Sequence, residues 1–396
     1  MTVATRNNPI ELAHEVATVL AAHAVAVDEQ GVFPEASMQA LKRSGLMGLV
    51  VPLEYGGLGG SYQTMVQVIQ RLSSACLSTG MIWAMHCQQV ATLVDHAPLE
   101  LRQRVLPQIA DEGMFVASVT SEREKGGHLL TAYAPVLLDG DGLLLLRDAP
   151  VVTGGAFGDG YLMTMRASAE SPPSEVVLVF AERAQLEIGI QAGWSALGMR
   201  GTQSIGMTLK GHLPKEQLID PPGGFAQIAV STMIPVGHIA WAASWLGAAQ
   251  GAFEQMIDVF RDPKARQGFN LQSDLFAMRL AEVRLQIDTV RAYLQQTVRE
   301  YDELLNAGGV YNPALRSPHF SIQINNLKLL ASDMLFNAIN QLVQLSGLRY
   351  GYLKNPRVSL ERTFRYLRAA SLMYSNDRLL VANGKLALLD RDIVSV

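Results

Sequence analysis

The chain has 396 residues, of which 49% are apolar and 17% charged, and its formal net charge is −4 at pH 7. This charge excludes the basic surface expected of a nucleic-acid-binding domain, and the two cysteines are too few for a disulfide framework. Charge is scarcer than the roughly 25% usual in soluble domains, which indicates extensive buried surface in a core or between subunits. Met1–Glu11 lacks the apolar run of a signal peptide, so we expect a cytoplasmic protein.

The first predicted region, from Pro9 to about Ala110, is helical. Its apolar residues recur at three- and four-residue steps, most clearly over Tyr62–Ala75 and Thr79–Leu93. Proline and repeated glycine fit neither a helical nor a strand period, so Val51–Gly60 is predicted to be a turn between helices.

The second predicted region, from Phe115 to about Asp220, is rich in β-strands. Short apolar runs are cut by turn residues, as at Asp139–Gly142 between two runs of leucine and valine. The run Glu175–Phe180 is another expected strand.

Helical periodicity returns after Gly223-Gly224 and continues to the end of the chain. Asp274–Leu305 is the longest predicted helix, with apolar residues spaced as on the inner face of a bundle. Ile234–Phe253 is uncharged and long enough to suggest a membrane span. It contains proline, histidine and several small residues, and the spacing of Gly247 and Gly251 favours close helix packing. We therefore expect a buried bundle helix and no membrane association.

Several common functional motifs are missing from the sequence. It has no Gly-x-Gly-x-x-Gly between a strand and a helix, no P-loop and no Gly-x-Ser-x-Gly elbow. The eight histidines include no pair at ligand spacing beside a carboxylate, so no metal site is expected.

A glycine-bracketed turn, Gly198-Met199-Arg200-Gly201-Thr202, resembles the signature of the acyl-CoA dehydrogenase family. Pro52 with Gly56–Gly59, Val343–Gly347 and Glu361–Arg365 resemble other segments of that family, in the same order. The resemblance implies a mainly α fold with a central β-domain. Its parts would be an N-terminal helical domain, a small β-barrel and a C-terminal four-helix bundle, at residues 1–112, 113–222 and 223–396.

The resemblance also implies an FAD cofactor. Two strand ends, Val119-Thr120 and Val152-Thr153, correspond to segments that hold the flavin ring in the family. Arg266 corresponds to a pyrophosphate ligand, although the glycine and phenylalanine around it are displaced. Gln344 and Gly347 belong to a segment that meets the adenosine of a neighbouring subunit's FAD, which implies a homodimer or homotetramer.

The catalytic glutamate of the family has no counterpart in this chain. Tyr374 occupies its usual place, and the alternative place on the first bundle helix holds Gly237-His238. The family's substrate-closing loop is altered over Thr120–His128. Removal of an α-proton requires a positioned base, so dehydrogenation would need Asp377 or Glu254 instead.

A monooxygenase branch of the family fits these departures better. Such an enzyme takes FADH2 from a separate flavin reductase and uses O2 to oxygenate an aromatic or other electron-rich small molecule. It needs a dry pocket and a hydrogen-bond or proton donor, for which His238 and Tyr374 are the candidates, with Ser121 or His128 on the opposite wall. A core role for His238 remains an alternative. So do a dehydrogenase acting on acyl-CoA or acyl carrier protein and a flavin-free helical scaffold.

Overall fold

The computed structural model describes residues 8–124 and 128–391. Helices occupy both ends of the chain and two sheets lie between them. Of the altered loop noted above, Lys125, Gly126 and Gly127 lie outside the described residues.

The N-terminal helices confirm the predicted periodicity. α3 has the predicted bounds, and α4 is slightly longer at each end than the expected segment. α1 begins where the Asn8 side chain accepts from the Ile10 N–H, and it ends at Gly31, which has a φ of 61°. The five helices are α1 (Pro9–Gln30), α2 (Glu35–Arg43), α3 (Tyr62–Ala75), α4 (Leu77–His96) and α5 (Leu99–Pro107).

The predicted turn at Val51–Gly60 is a compact loop around a 3₁₀ turn at Leu53–Tyr55. A Cβ on Gly57 would overlap the Val51 carbonyl, so a glycine is required there. The loop joins the second and third helices and does not resemble a phosphate-binding loop.

The β region consists of two four-stranded sheets. The first has the order β1 (Val116–Val119), β4 (Gly160–Arg166), β5 (Val176–Glu182) and β8 (Leu218–Ile219). The strands of the second, in order, are β2 (Val136–Asp139), β3 (Gly142–Val152), β7 (Ile205–Pro214) and β6 (Leu186–Ala192). β1 and β4 are parallel, and the other pairs are antiparallel.

The predicted small β-barrel is therefore wrong in one respect. Among the described residues the two sheets keep separate strand orders and no pairing closes them into a barrel. A local pattern of apolar runs predicts strands but does not report which edges pair, since edge pairing depends on residues far apart in the chain.

The C-terminal region contains three long helices with shorter ones packed beside them. The predicted helix from Asp274 is confirmed and ends three residues later than expected, at Gly308. One π-helical turn, Ala229–Met233, joins α6 to α7. The helices are α6 (Gly224–Ile228), α7 (Ile234–Arg261), α8 (Asp274–Gly308), α9 (Pro318–Gly347), α10 (Leu360–Leu367) and α11 (Asn376–Ala387).

α7 crosses α3 at close range, as the glycine spacing predicts. A Cβ on Gly247 would overlap the backbone of Gln70, and one on Gly251 would lie 2.9 Å from the Ser74 carbonyl oxygen. Two helical stretches, Pro9–Gln30 and Gly224–Arg261, have the length and hydropathy of a membrane span, and 78% of the apolar window in the second is buried inside the protein. This burial supports a bundle helix.

One apolar core runs through the N-terminal helices, both sheets and the C-terminal bundle. Buried side chains from all three regions belong to it, such as Trp83 of α4, Met207 of β7 and Trp245 of α7. The division at residues 112 and 222 stays a prediction. What matters for function is that β1, β3, α4 and α7 converge on one side of this core.

Candidate active site

A cavity of about 530 Å³ lies where these four elements meet the turn before α11. The residues just after β1 and β3 form one wall, α4 and the first turns of α7 form the next, and Leu372–Ser375 closes the third. The structure thus brings five of the predicted site residues together in one cavity, namely Thr120, Ser121, Thr153, His238 and Tyr374.

Thr120 and Thr153 each follow the last residue of a strand, so their hydroxyls face the space beyond the sheets. The preceding Val119 and Val152 are fully buried in the core, which leaves only their backbone groups for a ligand. This arrangement agrees with the predicted pairs of residues for holding a flavin ring. Their role as flavin ligands stays a prediction.

A chain of hydroxyls leads from Thr153 to the glycine-bracketed turn. Thr153 Oγ1 lies 3.0 Å from Ser204 Oγ, which lies 2.9 Å from Thr202 Oγ1. The Thr202 hydroxyl donates to the Met199 carbonyl over 2.8 Å. Because each hydroxyl has one proton, Ser204 must donate to Thr202 and Thr153 must donate to Ser204. Thr153 therefore presents only oxygen lone pairs to the cavity.

A second cavity, of about 430 Å³, adjoins the first and shares Met85, Val151, Thr153, Leu372 and Met373 with it. The turn that carries the family resemblance forms its outer wall. The two spaces form one elongated slot with mostly apolar walls and a few hydroxyls, which suits a flavin ring and a small substrate.

Arg365 ties the outer wall to two helices. Its guanidinium donates to the Leu197 carbonyl over 3.2 Å, to Asp28 over 2.5 Å and to Glu361 over 2.8 Å. Although burial acts to raise the pKa of Asp28, the contact with Arg365 outweighs it and the pKa is lowered. Arg200 donates to the Glu29 carbonyl over 3.2 Å and so braces its own turn.

His238 is 4% exposed and lies in the cavity wall, in contact with Trp241. Its Nδ1 lies 3.2 Å from the Ile324 carbonyl oxygen, so Nδ1 must carry the proton and donate. Burial lowers the pKa of His238 to about 4, and Lys328 acts in the same direction. At neutral pH the ring is uncharged and Nε2 is a hydrogen-bond acceptor, not a donor.

Tyr374 is half-buried, and its ring centroid lies 6.2 Å from that of His238. Burial raises the pKa of its phenol, although Arg378 acts in the opposite direction. The phenol therefore stays protonated at neutral pH and can donate a hydrogen bond. Its backbone φ of 51° is unusual for a non-glycine residue, so the turn that presents it is strained.

Lys328 of α9 supports this turn from behind. It is fully buried, and Nζ donates to the Tyr374 carbonyl over 2.9 Å and to Asn376 Oδ1 over 2.5 Å. Asn376 in turn donates to Asp333 over 2.8 Å. Burial lowers the pKa of Lys328 to about 8, against the effect of Asp333.

The opposite wall differs from the prediction in its details. Ser121 lines the cavity, but its hydroxyl donates to the Val151 carbonyl over 2.8 Å and accepts from the Val151 N–H over 3.2 Å. These bonds give it a role in joining two strand ends. His128 is exposed and does not line the cavity, where Leu129 takes its place.

No aspartate or glutamate lines the cavity among the described residues. Glu122, one residue from Ser121, is buried in an ion pair with Arg147 and accepts from the Tyr133 and Ala134 N–H groups over 3.0 and 2.9 Å. The two bases that dehydrogenation would require lie elsewhere. Asp377 is exposed outside the cavity, and Glu254 lines a different cavity beside α1.

Three predicted cofactor ligands do not reach the slot. Arg266, Gln344 and Gly347 are exposed and line neither of its cavities. This position is the one expected if they contact a flavin bound by another subunit. That role stays a prediction.

Sequence reasoning missed several cavity residues. Gln88 and Ser118 line it, and Gln88 Nε2 donates to the Met233 carbonyl in the π-helical turn over 2.6 Å. Trp241 and Arg378 line it as well. Trp241 follows His238 at helical spacing, which could have revealed it, whereas no spacing rule connects Gln88 or Arg378 with the strand ends.

Comparisons with known proteins identify the family of this chain. The family model described as acyl-CoA dehydrogenase, N-terminal domain, matches residues 11–113, and that of the C-terminal domain matches residues 224–374. The chain belongs to the acyl-CoA dehydrogenase family. The predicted family and its mainly α fold with a central β region are thereby confirmed.

Individual members of the acyl-CoA dehydrogenase family resemble the chain over nearly its whole length. Dibenzothiophene monooxygenase of Rhodococcus qingshengii is 23% identical, over 93% of this chain and 90% of that protein. Short-chain-specific acyl-CoA dehydrogenase of Clostridium acetobutylicum is 25% identical, over 92% of each. The solved structure of FMN-bound TdsC from Paenibacillus sp. A11-2 superimposes with a TM-score of 0.85 at 22% identity, covering 97% of this chain and 98% of that one.

Proposed function

We propose that the protein is a flavin-dependent monooxygenase that oxygenates an aromatic or other electron-rich small molecule. The observation that carries this proposal is the cavity between Thr120, Thr153, His238 and Tyr374, which no described carboxylate lines. A dehydrogenase needs a base that removes an α-proton. Oxygenation does not.

A reduced flavin bound in the slot would supply two electrons to O2, so that one oxygen atom enters the substrate and the other leaves as water. Met85, Trp241 and Met373 contribute apolar walls that keep bulk water out. The Tyr374 phenol donates a hydrogen bond or proton towards the reacting oxygen, because it is protonated at neutral pH. His238 Nε2 accepts a hydrogen bond from the substrate or from the same oxygen.

The residues present fit a flavin, and we propose FAD, used as FADH2. Thr120 and Thr153, with the backbone of Val119 and Val152, would hold the ring. Arg266, Gln344 and Gly347, all exposed, would contact the flavin of a neighbouring subunit, which requires a homodimer or homotetramer. Since the sequence has no dinucleotide-binding motif, a separate flavin reductase would supply the electrons, in the cytoplasm.

The relatives include both a monooxygenase and a dehydrogenase, which supports these two enzyme classes as the candidates. Dibenzothiophene monooxygenase, 23% identical, acts on an aromatic compound by its name. The dehydrogenase alternative is supported by the 25% identity to a short-chain acyl-CoA dehydrogenase. It lacks a base in the cavity of this chain, because Asp377 and Glu254 both lie outside it.

The test loads the protein with FADH2 from a flavin reductase and mixes it with O2 in a stopped-flow instrument. With no substrate present, a monooxygenase should consume O2 well before the visible absorbance of oxidised flavin returns, and should release hydrogen peroxide only as that absorbance returns. The matched experiment adds butyryl-CoA to the oxidised holoprotein without O2. In the first experiment, the lag is the delay between O2 consumption and the return of flavin absorbance. Rapid bleaching of the flavin by butyryl-CoA, together with no such lag, would reverse the assignment in favour of a dehydrogenase.

A further inference from the structure

The cavity is lined by three ionisable side chains among the described residues, and only one of them is charged at neutral pH. His238 is neutral because burial lowers its pKa to about 4, and burial keeps the Tyr374 phenol protonated. The third is Arg378, in the first turn of α11, whose guanidinium is always protonated. The cavity therefore carries one positive charge and no described negative one.

Within residues 8–124 and 128–391, Arg378 has no partner that would neutralise this charge. Its guanidinium makes no hydrogen bond or ion pair with any residue in the described part of the chain, although it lies near enough to Tyr374 to act on the pKa of the phenol. Two acidic residues on the elements that form this turn do not pair with it. Asp333 accepts from Asn376 and acts on Lys328, and Asp377 is exposed outside the cavity.

Much of the remaining cavity wall is apolar and suits a ring system. Leu129, Ile234, Trp241, Leu372 and Met373 line it, and Arg378 stands at the exposed mouth. A positive charge at one end of an apolar cavity favours a molecule that has an apolar body and one anionic group.

We propose that the substrate is an aromatic or other apolar acid, bearing a carboxylate, sulfinate or sulfonate that pairs with Arg378. This inference rests on the proposed function for the chemistry of oxygenation, but its binding step does not depend on turnover. The planar guanidinium donates two parallel hydrogen bonds to an oxyanion of this kind. The apolar ring then lies deeper, beside Trp241, and faces the strand ends where Thr120 and Thr153 would hold the flavin.

The test compares 2-naphthoate with 2-naphthamide, which share a ring system and differ in charge. Binding to the FAD-saturated protein is measured by isothermal titration calorimetry. The wild-type protein should bind the acid roughly fivefold more tightly than the amide, a modest factor because Arg378 is partly solvated. Arg378→Gln should abolish this preference, and Arg378→Lys should restore part of it.

A matched control removes an arginine from another cavity. Arg299 is exposed on α8 and borders a cavity that shares no residue with this one. Arg299→Gln should therefore keep the preference for the acid. Equal binding of acid and amide to the wild-type protein, or an unchanged preference in Arg378→Gln, would overturn the proposal. So would a loss of FAD affinity in Arg378→Gln with the preference intact, since Arg378 would then serve the cofactor.

The two proposals fail separately. If O2 consumption shows no lag but the acid preference depends on Arg378, the anion subsite stands and the oxygenase assignment falls. If the lag is present and Arg378→Gln changes nothing in binding, only the substrate class is wrong.

Discussion

The ammonium group of Lys328 donates a 2.9 Å hydrogen bond to the backbone carbonyl of Tyr374. This single contact joins a buried cation on α9 to the residue that the family resemblance places near the usual position of the catalytic base. Tyr374 has a φ of 51°, and such a conformation persists only where surrounding contacts enforce it. Lys328 is thus a positioning residue for the phenol and does not line the cavity itself.

Replacing Lys328 with methionine should loosen this turn. The Tyr374 carbonyl would lose its side-chain donor, at ~1–3 kcal/mol for a buried group left unsatisfied, whereas Asn376 Oδ1 would still accept from Ser332 Oγ over 3.2 Å. Removal of a buried charge offsets part of that loss, so we expect a small change in global stability. Hydrogen exchange at residues 372–376 should become faster, and coupled oxygenation should fall. Lys385→Met, on the exposed face of α11, is the control, and equal exchange rates in both variants would refute the role of Lys328.

Gly198→Ala should destabilise the outer wall of the slot. An added Cβ would overlap the Arg365 carbonyl, which cannot move without the network that Arg365 makes with Asp28. We expect a loss of ~1–3 kcal/mol in the free energy of unfolding and weaker flavin binding. Gly193→Ala is a matched control five residues earlier, because nothing lies within 4 Å of its added Cβ. Similar melting temperatures for the two variants would contradict this reading of the turn.

Much of this architecture could be predicted from the sequence, because its signals are local. Helical periodicity predicted α3 and the start of α8, and the motif at Gly198–Thr202 indicated the family. The convergence of Thr120, Thr153, His238 and Tyr374 followed from the family resemblance. Periodicity alone does not bring four distant segments together.

The features that the sequence did not predict depend on contacts between distant segments. The open edges of the two sheets, the buried ion pair of Glu122 with Arg147 and the support of Tyr374 by Lys328 are all of this kind. The tautomer of His238 was missed as well, since it is set by a carbonyl 86 residues away. Because Nδ1 carries the proton, Nε2 of His238 accepts a hydrogen bond, whereas the sequence led us to expect a donor.

His238 should leave no trace in the pH dependence of turnover near its ordinary pKa. Because burial lowers the pKa to about 4, the ring is neutral at any pH above roughly 5. We expect kcat/KM of the wild-type enzyme to show no inflection between pH 5.5 and 7.5 that His238→Asn removes, although that variant should be slower at every pH. An inflection near 6.5 that vanishes in the variant would mean that the imidazolium takes part.

The free energy of unfolding should fall as the pH drops from about 6.5 towards 4. Burial lowers the pKa of His86, His96 and His238 to about 4, so the unfolded chain takes up their protons first. Above about pH 6.5 these histidines are mostly neutral in the folded and in the unfolded chain, so they do not change the free energy of unfolding. Asp95 opposes it, because burial raises its pKa to about 6 and the folded state then binds the proton more tightly. Burial also raises the pKa of Asp302, so three histidines act against two carboxyl groups and leave a net loss in acid.

Urea titrations at several pH values between 7.5 and 4.5 test this balance. Burial keeps His86 neutral. Its Nε2 lies 2.9 Å from the Met47 carbonyl oxygen, and its Nδ1 accepts from the Val116 N–H over 3.1 Å. His86→Gln keeps a donor and an acceptor without a titrating ring, so it should flatten part of the fall. His23→Gln, on the exposed side of α1, should not. A wild-type stability independent of pH in this range would contradict the burial argument.

The direction of the hydroxyl chain behind Thr153 leads to a prediction about the flavin itself. Thr202 donates to the Met199 carbonyl, which obliges Thr153 to donate to Ser204 and to offer only an acceptor to the slot. A reduced flavin carries an N–H at N5, whereas the oxidised ring does not. If Thr153 faces N5, as the family resemblance implies, the wild-type site favours the reduced form.

Ser204→Ala should weaken that preference, because it frees the Thr153 proton to donate to the oxidised ring. We expect the ratio of oxidised to reduced flavin affinities to shift by about fivefold, which lowers the midpoint potential of the bound flavin by ~20 mV. Spectroelectrochemistry of the loaded protein measures this without a substrate. Ser168→Ala removes a hydroxyl that pairs with Ser171 outside the slot and serves as the control. If both variants keep the wild-type potential, Thr153 does not read the redox state of the ring, and the hydroxyl chain serves only to fix the turn at Met199.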